Sequence, residues 1–420
     1  MNHTLTVYLR DQQVGQLWLG EQRRFVFQYD EAWLNNEHAV PLSIALPLQA
    51  ESFDNDTARP FFANLLPESE LRQIIARKLG LSEGNDFALL EALGGECAGA
   101  VSLIPEGSGL SETGEYRPLS DDELNALVSE LPRRPLLAGE TGIRLSLAGV
   151  QNKLPVLYKE EEGRVYLPTG NVASFHILKP PIQHLANTVE NETFCMQLAA
   201  RMGLPVPSVM LLNKAQPLYL VDRYDREMTA EGKIIRLHQE DFCQAMAIAP
   251  DMKYEKEGGP SLQGCFELLR HHSLTPILDV KALLNWVIFN YLIGNADAHG
   301  KNISLLLTDH GPVLAPFYDL MSTTVYSDLT NKLAMKIGGD DRPDWIIARR
   351  WQQFAEDIGV SFKIVHQTLT GMSEKIIDES RSLKEEFTAQ HGECKVIDHI
   401  IAIIEQRAHK VTTCLEAANK

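Results

Sequence analysis

Nine consecutive small or polar residues, Gly294-Asn295-Ala296-Asp297-Ala298-His299-Gly300-Lys301-Asn302, follow one apolar stretch and precede another. Upstream, Ala282 to Ile293 is the longest apolar region of the chain, and Asn285 and Asn290 interrupt it. A membrane span needs about 18 or more apolar residues in a row, so this region reads as a buried helix of a protein core. Downstream, Ile303 to Leu307 and Val313 to Phe317 read as a short β segment. The fold must therefore carry a polar loop at the joint between a buried helix and two short strands.

The spacing inside that loop suggests a chemistry. Asp297 and Asn302 stand five residues apart, the Asp-to-Asn spacing of kinase catalytic loops. There the Asp accepts or orients the proton of the attacking hydroxyl, and the Asn holds a magnesium ion against the phosphates. His299 makes the pattern D-x-H-x-x-N, as in lipid-kinase-like loops. A polar turn at a helix end, with Asn and Asp chosen for their turn preference, is the plainer alternative. Seventeen residues beyond Asn302, Pro316-Phe317-Tyr318-Asp319 places a second carboxylate at the expected end of an apolar strand. Magnesium demands near-octahedral oxygen geometry, so a second ligand has to come from a rigid point of this kind.

Three further segments are candidates for holding a nucleotide. Ser146-Leu147-Ala148-Gly149-Val150-Gln151-Asn152-Lys153 lies between strand-like segments. Its small residues would let backbone N–H groups approach phosphate oxygens. It lacks the second Gly and the Lys-Ser/Thr pair of a Walker A loop, and an ordinary hairpin stays open. Lys179 ends Phe175-His176-Ile177-Leu178-Lys179, where it either meets phosphates or is simply solvated. Asp222-Arg223-Tyr224 follows the strand Leu218 to Val221, where a kinase hinge would read adenine through backbone groups.

The rest of the chain gives these segments a frame. Leu5, Val7 and Leu9, then Phe25, Phe27 and Tyr29, alternate with polar neighbours and predict a β-meander. A helix from Glu68 to Lys78 should stop at Gly80, and Ser120 with Glu123 predicts a capping box for a helix to about Leu131. Pro105 to Pro118 reads as a connecting loop. Strands are expected at Val156–Tyr158, Val165–Leu167, Phe175–Leu178, Val209–Leu212 and Leu218–Val221, with a helix from Val189 to Met202 among them. This order resembles a kinase small lobe. Helices follow at Asp241–Ala247, Ile277–Ile293, Phe362–Glu379 and Val396–Leu415. The expectation is an α+β, kinase-like two-lobed fold in three parts. They are an N-terminal β-meander/helix subdomain (1–108), an ATP-binding small-lobe region (109–225) and a mainly helical C-terminal lobe with the catalytic loop (226–420). The formal net charge of -17 argues against nucleic-acid binding by the whole surface, while leaving room for a local basic patch or a basic partner protein. Six scattered cysteines form no CxxC pair, and Met1-Asn2-His3-Thr4 starts no secretory signal; a cytoplasmic chain is expected.

Taken in order, these segments resemble the HipA-type toxin kinases of HipBA toxin–antitoxin modules. The resemblance runs through Phe61-Phe62-Ala63-Asn64-Leu65-Leu66-Pro67 and Gly99-Ala100-Val101-Ser102-Leu103-Ile104-Pro105 to the Ser146–Lys153 loop. It continues with Val206-Pro207, Gln239-Glu240-Asp241, Lys253-Tyr254-Glu255, the Asp297–Asn302 loop, Phe317-Tyr318-Asp319 and Lys332-Leu333-Ala334-Met335. It implies ATP and Mg2+ as cofactors, Asp297 as catalytic base, and Asn302 and Asp319 as magnesium ligands. Ala148, Gly149, Val150, Gln151, Asn152 and Lys153 would cover the phosphates and Lys179 would contact them. Asp222, Arg223 and Tyr224 would hold the adenine side, while His299, Gly300, Lys301, Asn302 and Tyr318 would line the nucleotide. Ser146 matches the serine that these kinases autophosphorylate with loss of activity. Asn152 replaces an acidic residue of some relatives, and Asp222 and Tyr224 replace Glu and Phe. The implied activity is serine/threonine phosphorylation of a translation protein, often an aminoacyl-tRNA synthetase, to arrest growth. The implied partner is a helix-turn-helix, HipB-like antitoxin that carries most of the operator-DNA contact; no membrane is implied. A small-molecule kinase, or a weak kinase acting as corepressor, are the alternatives.

Overall fold

The computed structural model describes residues 4–110, 113–139 and 144–418; Met1, Asn2 and His3, on which the reading of the N-terminus rests, lie outside them. The chain forms two compact units. One comprises Met1–Pro180, Leu212–Asp251 and Leu305–Pro312, the other Pro181–Leu211, Met252–Ser304 and Val313–Lys420.

In the first unit the meander is present. Strands β1 (Thr4–Leu9), β2 (Gln12–Leu19), β3 (Phe25–Tyr29) and β4 (Val101–Pro105) form an antiparallel sheet in the order β3-β2-β1-β4. The period-two residues Leu5, Val7, Phe25, Phe27 and Tyr29 are buried. Phe27 meets Phe62 of the helix Asn55–Ala63 edge-on at 5.4 Å. A second sheet runs β5 (Gly114–Pro118), β7 (Arg164–Gly170), β6 (Leu154–Lys159), β8 (His176–Lys179) and the strand Pro217–Asp222. Strand β5 corrects the expected Pro105–Pro118 loop. Gly114 and Pro118 suggested a turn, but β5 is an edge strand, where proline is tolerated. Gly114 sits so close to β7 that a Cβ would meet Thr169 O at 2.6 Å. The Ser120–Glu123 capping box opens the helix Asp121–Glu130 as expected.

Buried charges tie this unit together. Arg223 forms a fork with Asp225 (2.9 and 2.8 Å) and reaches Ser174 Oγ at 2.9 Å. Arg226 meets Glu96 at 3.0 Å and donates to Gly99 O at 3.0 Å. Arg236 donates to Ser102 Oγ at 2.8 Å. Burial alone would push the Asp225 and Glu96 carboxyls up, but the arginines around them hold both below the usual carboxylate range. Nearby, His238 Nε2 lies 2.8 Å from Leu42 O, and Glu240 accepts from Ser43 Oγ and from Ile44 N–H at 2.9 Å.

The second unit is mainly helical. Its helices include Thr188–Arg201, Leu262–His272, Pro276–Ile293, Ala348–Asp357, Phe362–His391 and Lys395–Ala418. Phe362–His391 continues a dozen residues past the expected end. Pro276–Ile293 is long and apolar enough to cross a membrane, but 61% of it is buried inside the protein. Its Asn290 is polar for a local reason: Nδ2 donates to Trp286 O at 2.9 Å and Oδ1 accepts from Asn295 at 2.7 Å.

Candidate active site

The helix Pro276–Ile293 stops at Gly294, whose φ of +77° ends it in the left-handed conformation. A side chain there would put its Cβ 2.3 Å from Thr324 Oγ1. Asn295 then links helix and loop: it donates to Asn290 and accepts from the Asp297 N–H at 3.0 Å. Ala296 is held on both sides, its N–H donating to Thr323 Oγ1 at 2.8 Å and its carbonyl accepting from Ala334 N–H at 3.0 Å. Asp297 thus stands exposed on a backbone fixed from several directions. Tyr254 Oη donates to its Oδ1 at 2.8 Å.

The second half of the loop is a tight turn. His299 N–H donates to Asn302 Oδ1 at 3.2 Å, and Asn302 N–H donates to His299 O at 2.9 Å. Gly300 is required by crowding, since a Cβ would lie 2.5 Å from Pro260 Cγ. Lys301 is buried, and its carbonyl accepts from Tyr318 Oη at 2.6 Å. The return segment is anchored by Ala315 N–H on Ser304 O and Phe317 N–H on Pro205 O, 2.9 and 2.8 Å. Asp319 was expected at the end of a strand. The strand ends at Leu314 instead, and Asp319 lies in irregular chain with φ +55°. Such a conformation in a non-glycine residue persists only when its surroundings hold it. It brings Asp319 Oδ2 to 3.5 Å from Asn302 Nδ2. Within this unit Asp297, His299, Gly300, Lys301, Asn302, Tyr318 and Asp319 are therefore gathered as expected.

Those donors fit magnesium. Magnesium takes hard oxygen ligands; here the Asn302 amide faces Asp319 through its Nδ2–H, at 3.5 Å, so its oxygen would have to turn toward the carboxylate for both to bind one ion. Both are hard oxygen donors, and the second lone pair of Asn302 Oδ1 remains for a metal while the first accepts His299 N–H.

The first unit holds the other expected residues. The Ser146–Lys153 segment is a loop braced from below and not a hairpin. Leu145 bridges Glu96, Gly149 bridges Pro67, and Glu68 N–H donates to Gly149 O at 3.2 Å. Gly149 has φ +110°, and Lys153 Nζ folds back onto Ala148 O. Gln151 donates to Pro180 O at 3.2 Å, while Val150 is half exposed. Asn152 Oδ1 is buried with no partner among the described residues. Ser146 is fully buried and donates to Leu65 O at 2.8 Å. Lys179 is also buried, which removes the solvated alternative; its Nζ sits 5.3 Å from the Tyr219 ring centre.

The Asp222–Tyr224 segment is narrowed by the structure. The Arg223 side chain belongs to the buried charge cluster, its N–H donates to Phe175 O at 2.9 Å, and its carbonyl accepts from Arg226 N–H at 3.1 Å. Asp222 pairs with His176 at 3.3 Å, and Tyr224 Oη donates to Gln239 at 2.7 Å. Sequence reasoning quoted Tyr254 within Lys253-Tyr254-Glu255 but gave it no role, because nothing local ties it to a residue 43 positions away.

Residues 145–381 match the family model described as HipA-like C-terminal domain, more than half the chain, and residues 5–104 match the HipA N-terminal domain. The chain belongs to the HipA family. It is 32% identical over 386 residues to the serine/threonine-protein kinase toxin HipA of Shewanella oneidensis, covering 89% of this chain and 87% of that protein. A Sinorhizobium fredii protein named "Putative kinase Y4mE" is 43% identical over 413 residues, 97% of this chain and 98% of the relative. The solved structure of Shewanella oneidensis HipA, in complex with HipB and its operator DNA, has TM-score 0.86 at 28% identity and covers 98% of both chains. The mixed α/β, kinase-like fold expected from sequence is thus the HipA fold, and kinase homology implies ATP use.

Proposed function

We propose that this HipA-family chain is an ATP- and magnesium-dependent serine/threonine protein kinase acting as the toxin of a toxin–antitoxin module. The observation that carries this reading is the loop that presents exposed Asp297 while the same turn sets Asn302 3.5 Å from Asp319. When bound, magnesium-ATP supplies the phosphoryl group and its leaving group. Asp297 accepts the proton of the acceptor hydroxyl. Asn302 and Asp319 would hold the metal, with Tyr318 and the His299–Lys301 turn fixing their backbone. In the first unit, Ala148 to Lys153 offer backbone N–H groups and the buried Lys179 ammonium offers positive charge to the phosphates. The orphaned Asn152 Oδ1 fits a loop built to receive a further group. Asp222 and Tyr224 serve the adenine side, with Arg223 bracing them.

Autophosphorylation at Ser146 would switch the chain off. The hydroxyl is fully buried on Leu65 O, so the loop has to lift before the serine reacts. Afterwards roughly -1.5 to -2 charges could not return to that site without several kcal/mol of desolvation. The remaining steps are a translation-machinery protein as acceptor, a HipB-like helix-turn-helix antitoxin that carries most of the operator-DNA contact, and a cytoplasmic location. The net charge of -17 suits a partner that reads DNA on its behalf.

The test is Asp297→Asn. Calorimetry should show magnesium-ATP binding within about threefold of wild type, while γ-phosphate transfer falls by two or more orders of magnitude. Retained transfer, or lost binding with the rate intact, would overturn the assignment.

A further inference from the structure

Resting on Asp297 as the base, we propose that Tyr254 is the positioning residue of this site: its phenol holds one oxygen of Asp297 so that the other is aimed at the acceptor hydroxyl. Among the described residues Oδ1 is the only carboxylate oxygen of Asp297 that takes a hydrogen bond, and the donor is Tyr254 Oη at 2.8 Å. A carboxylate on an exposed loop otherwise rotates freely about χ2, where the torsional wells are broad.

A phenol in this place could act in a second way. A donor 2.8 Å from the base also imitates an acceptor hydroxyl, and a tyrosine that swung in and out would be a plug. The backbone around Tyr254 favours the fixed device. Glu255 N–H donates to Ala334 O at 3.2 Å, and Ala334 N–H donates to Ala296 O at 3.0 Å, one residue before Asp297. Lys336 N–H donates to Glu255 Oε2 at 2.6 Å. Tyr254 O accepts from Glu257 and Gly259 N–H groups at 2.9 and 3.0 Å. Its ring stands edge-on to His299 at 5.3 Å. The tyrosine and the aspartate are thus two ends of one closed ring of hydrogen bonds. The ring runs Asp297, Ala296, Ala334, Glu255, Tyr254 and back to Asp297. The backbone bonds fix the point from which the phenol reaches Asp297, as a positioning device requires. Two sequence segments without an assigned role, Lys253-Tyr254-Glu255 and Lys332-Leu333-Ala334-Met335, acquire one together: the second suspends the first from the catalytic loop.

Tyr254→Phe keeps the ring and removes only the donor. ADP release from magnesium-ATP counts every transfer, whether to protein, to the chain's own serine or to water. Positioning predicts a fall in kcat of tenfold or more, with KM for ATP within twofold and an unchanged melting temperature. It also predicts that Tyr254→Phe adds no further loss in the Asp297→Asn background, since a positioning residue acts only through the group it positions. A merely structural role would reduce both backgrounds alike and overturn the proposal, as would an unchanged kcat. A rise in kcat would overturn it in favour of the plug. If wild type releases no ADP, or Asp297→Asn is fully active, the kinase reading fails first; if Asp297→Asn is inactive and Tyr254→Phe is not, only the positioning role fails.

Discussion

Glu240→Gln should make the stability of this chain less sensitive to pH, and the size of the effect follows from the burial of the group. Glu240 is fully buried. Desolvation pushes its carboxyl from 4.5 up to about 8, against the hydrogen bonds from Ser43 and Ile44 that lower it; Asp241 adds a small upward push. Between these two values the folded chain keeps a proton that the unfolded chain has lost. Stability therefore falls as pH rises through this window, with a limiting slope of about 1.4 kcal/mol per pH unit. Gln has the same shape, can donate to Ser43 Oγ and accept from Ile44 N–H, and does not titrate. Any constant cost of the swap is the same at every pH, so the slope isolates the carboxyl. Urea denaturation at pH 5.5, 6.5 and 7.5 should show the variant gaining on wild type by about 2.5 kcal/mol across the range. Parallel pH profiles for the two proteins would refute the reasoning, because they would mean that Glu240 is ionised in the folded chain.

Further outcomes follow from other contacts. Asp319→Ala should abolish transfer from magnesium-ATP, because the remaining Asn302 is a neutral ligand and water cannot restore the fixed geometry; full activity would remove Asp319 from the metal site. Arg223→Met leaves Asp225 and Glu96 buried beside fewer cations, so it should destabilise the chain by about 3–5 kcal/mol in urea denaturation; a near-neutral effect would place the cluster in contact with water. Incubation with magnesium-ATP should add one phosphate at Ser146 by intact-mass and peptide analysis. The modified chain should then bind ATP much more weakly, and unchanged affinity would sink the switch. Coexpression with the small helix-turn-helix protein encoded beside it should give a complex on gel filtration, and separate elution at micromolar concentration would count against the antitoxin partnership.

What the sequence disclosed, and what it hid, divides by the distance over which each feature is determined. Asp297 and Asn302 were legible because one short turn fixes both, and Gly294 and Gly300 are set by crowding that only glycine satisfies. The meander was legible because alternation along each strand is local. Asp319 was expected at the end of a strand, and it stands instead in irregular chain beyond Leu314. Val313 to Phe317 has the composition of a strand, yet Phe317 N–H goes to Pro205 O, more than a hundred residues earlier, and Pro316 has no N–H to give a ladder. The helix Asn55–Ala63 escaped notice because Pro60 sits inside it, where proline lacks the N–H of the helical ladder. The role of Arg223 was hidden more deeply. A strand-end Asp-Arg-Tyr looks like a solvent-facing hinge until Glu96 and Ser174, 127 and 49 residues away along the chain, are brought to it. Tyr254 belongs with Arg223. The loop residues Asp297 to Asn302 lie close together in sequence, but Tyr254 and Ala334, which bond to that loop, come from distant segments, and no local pattern records that pairing.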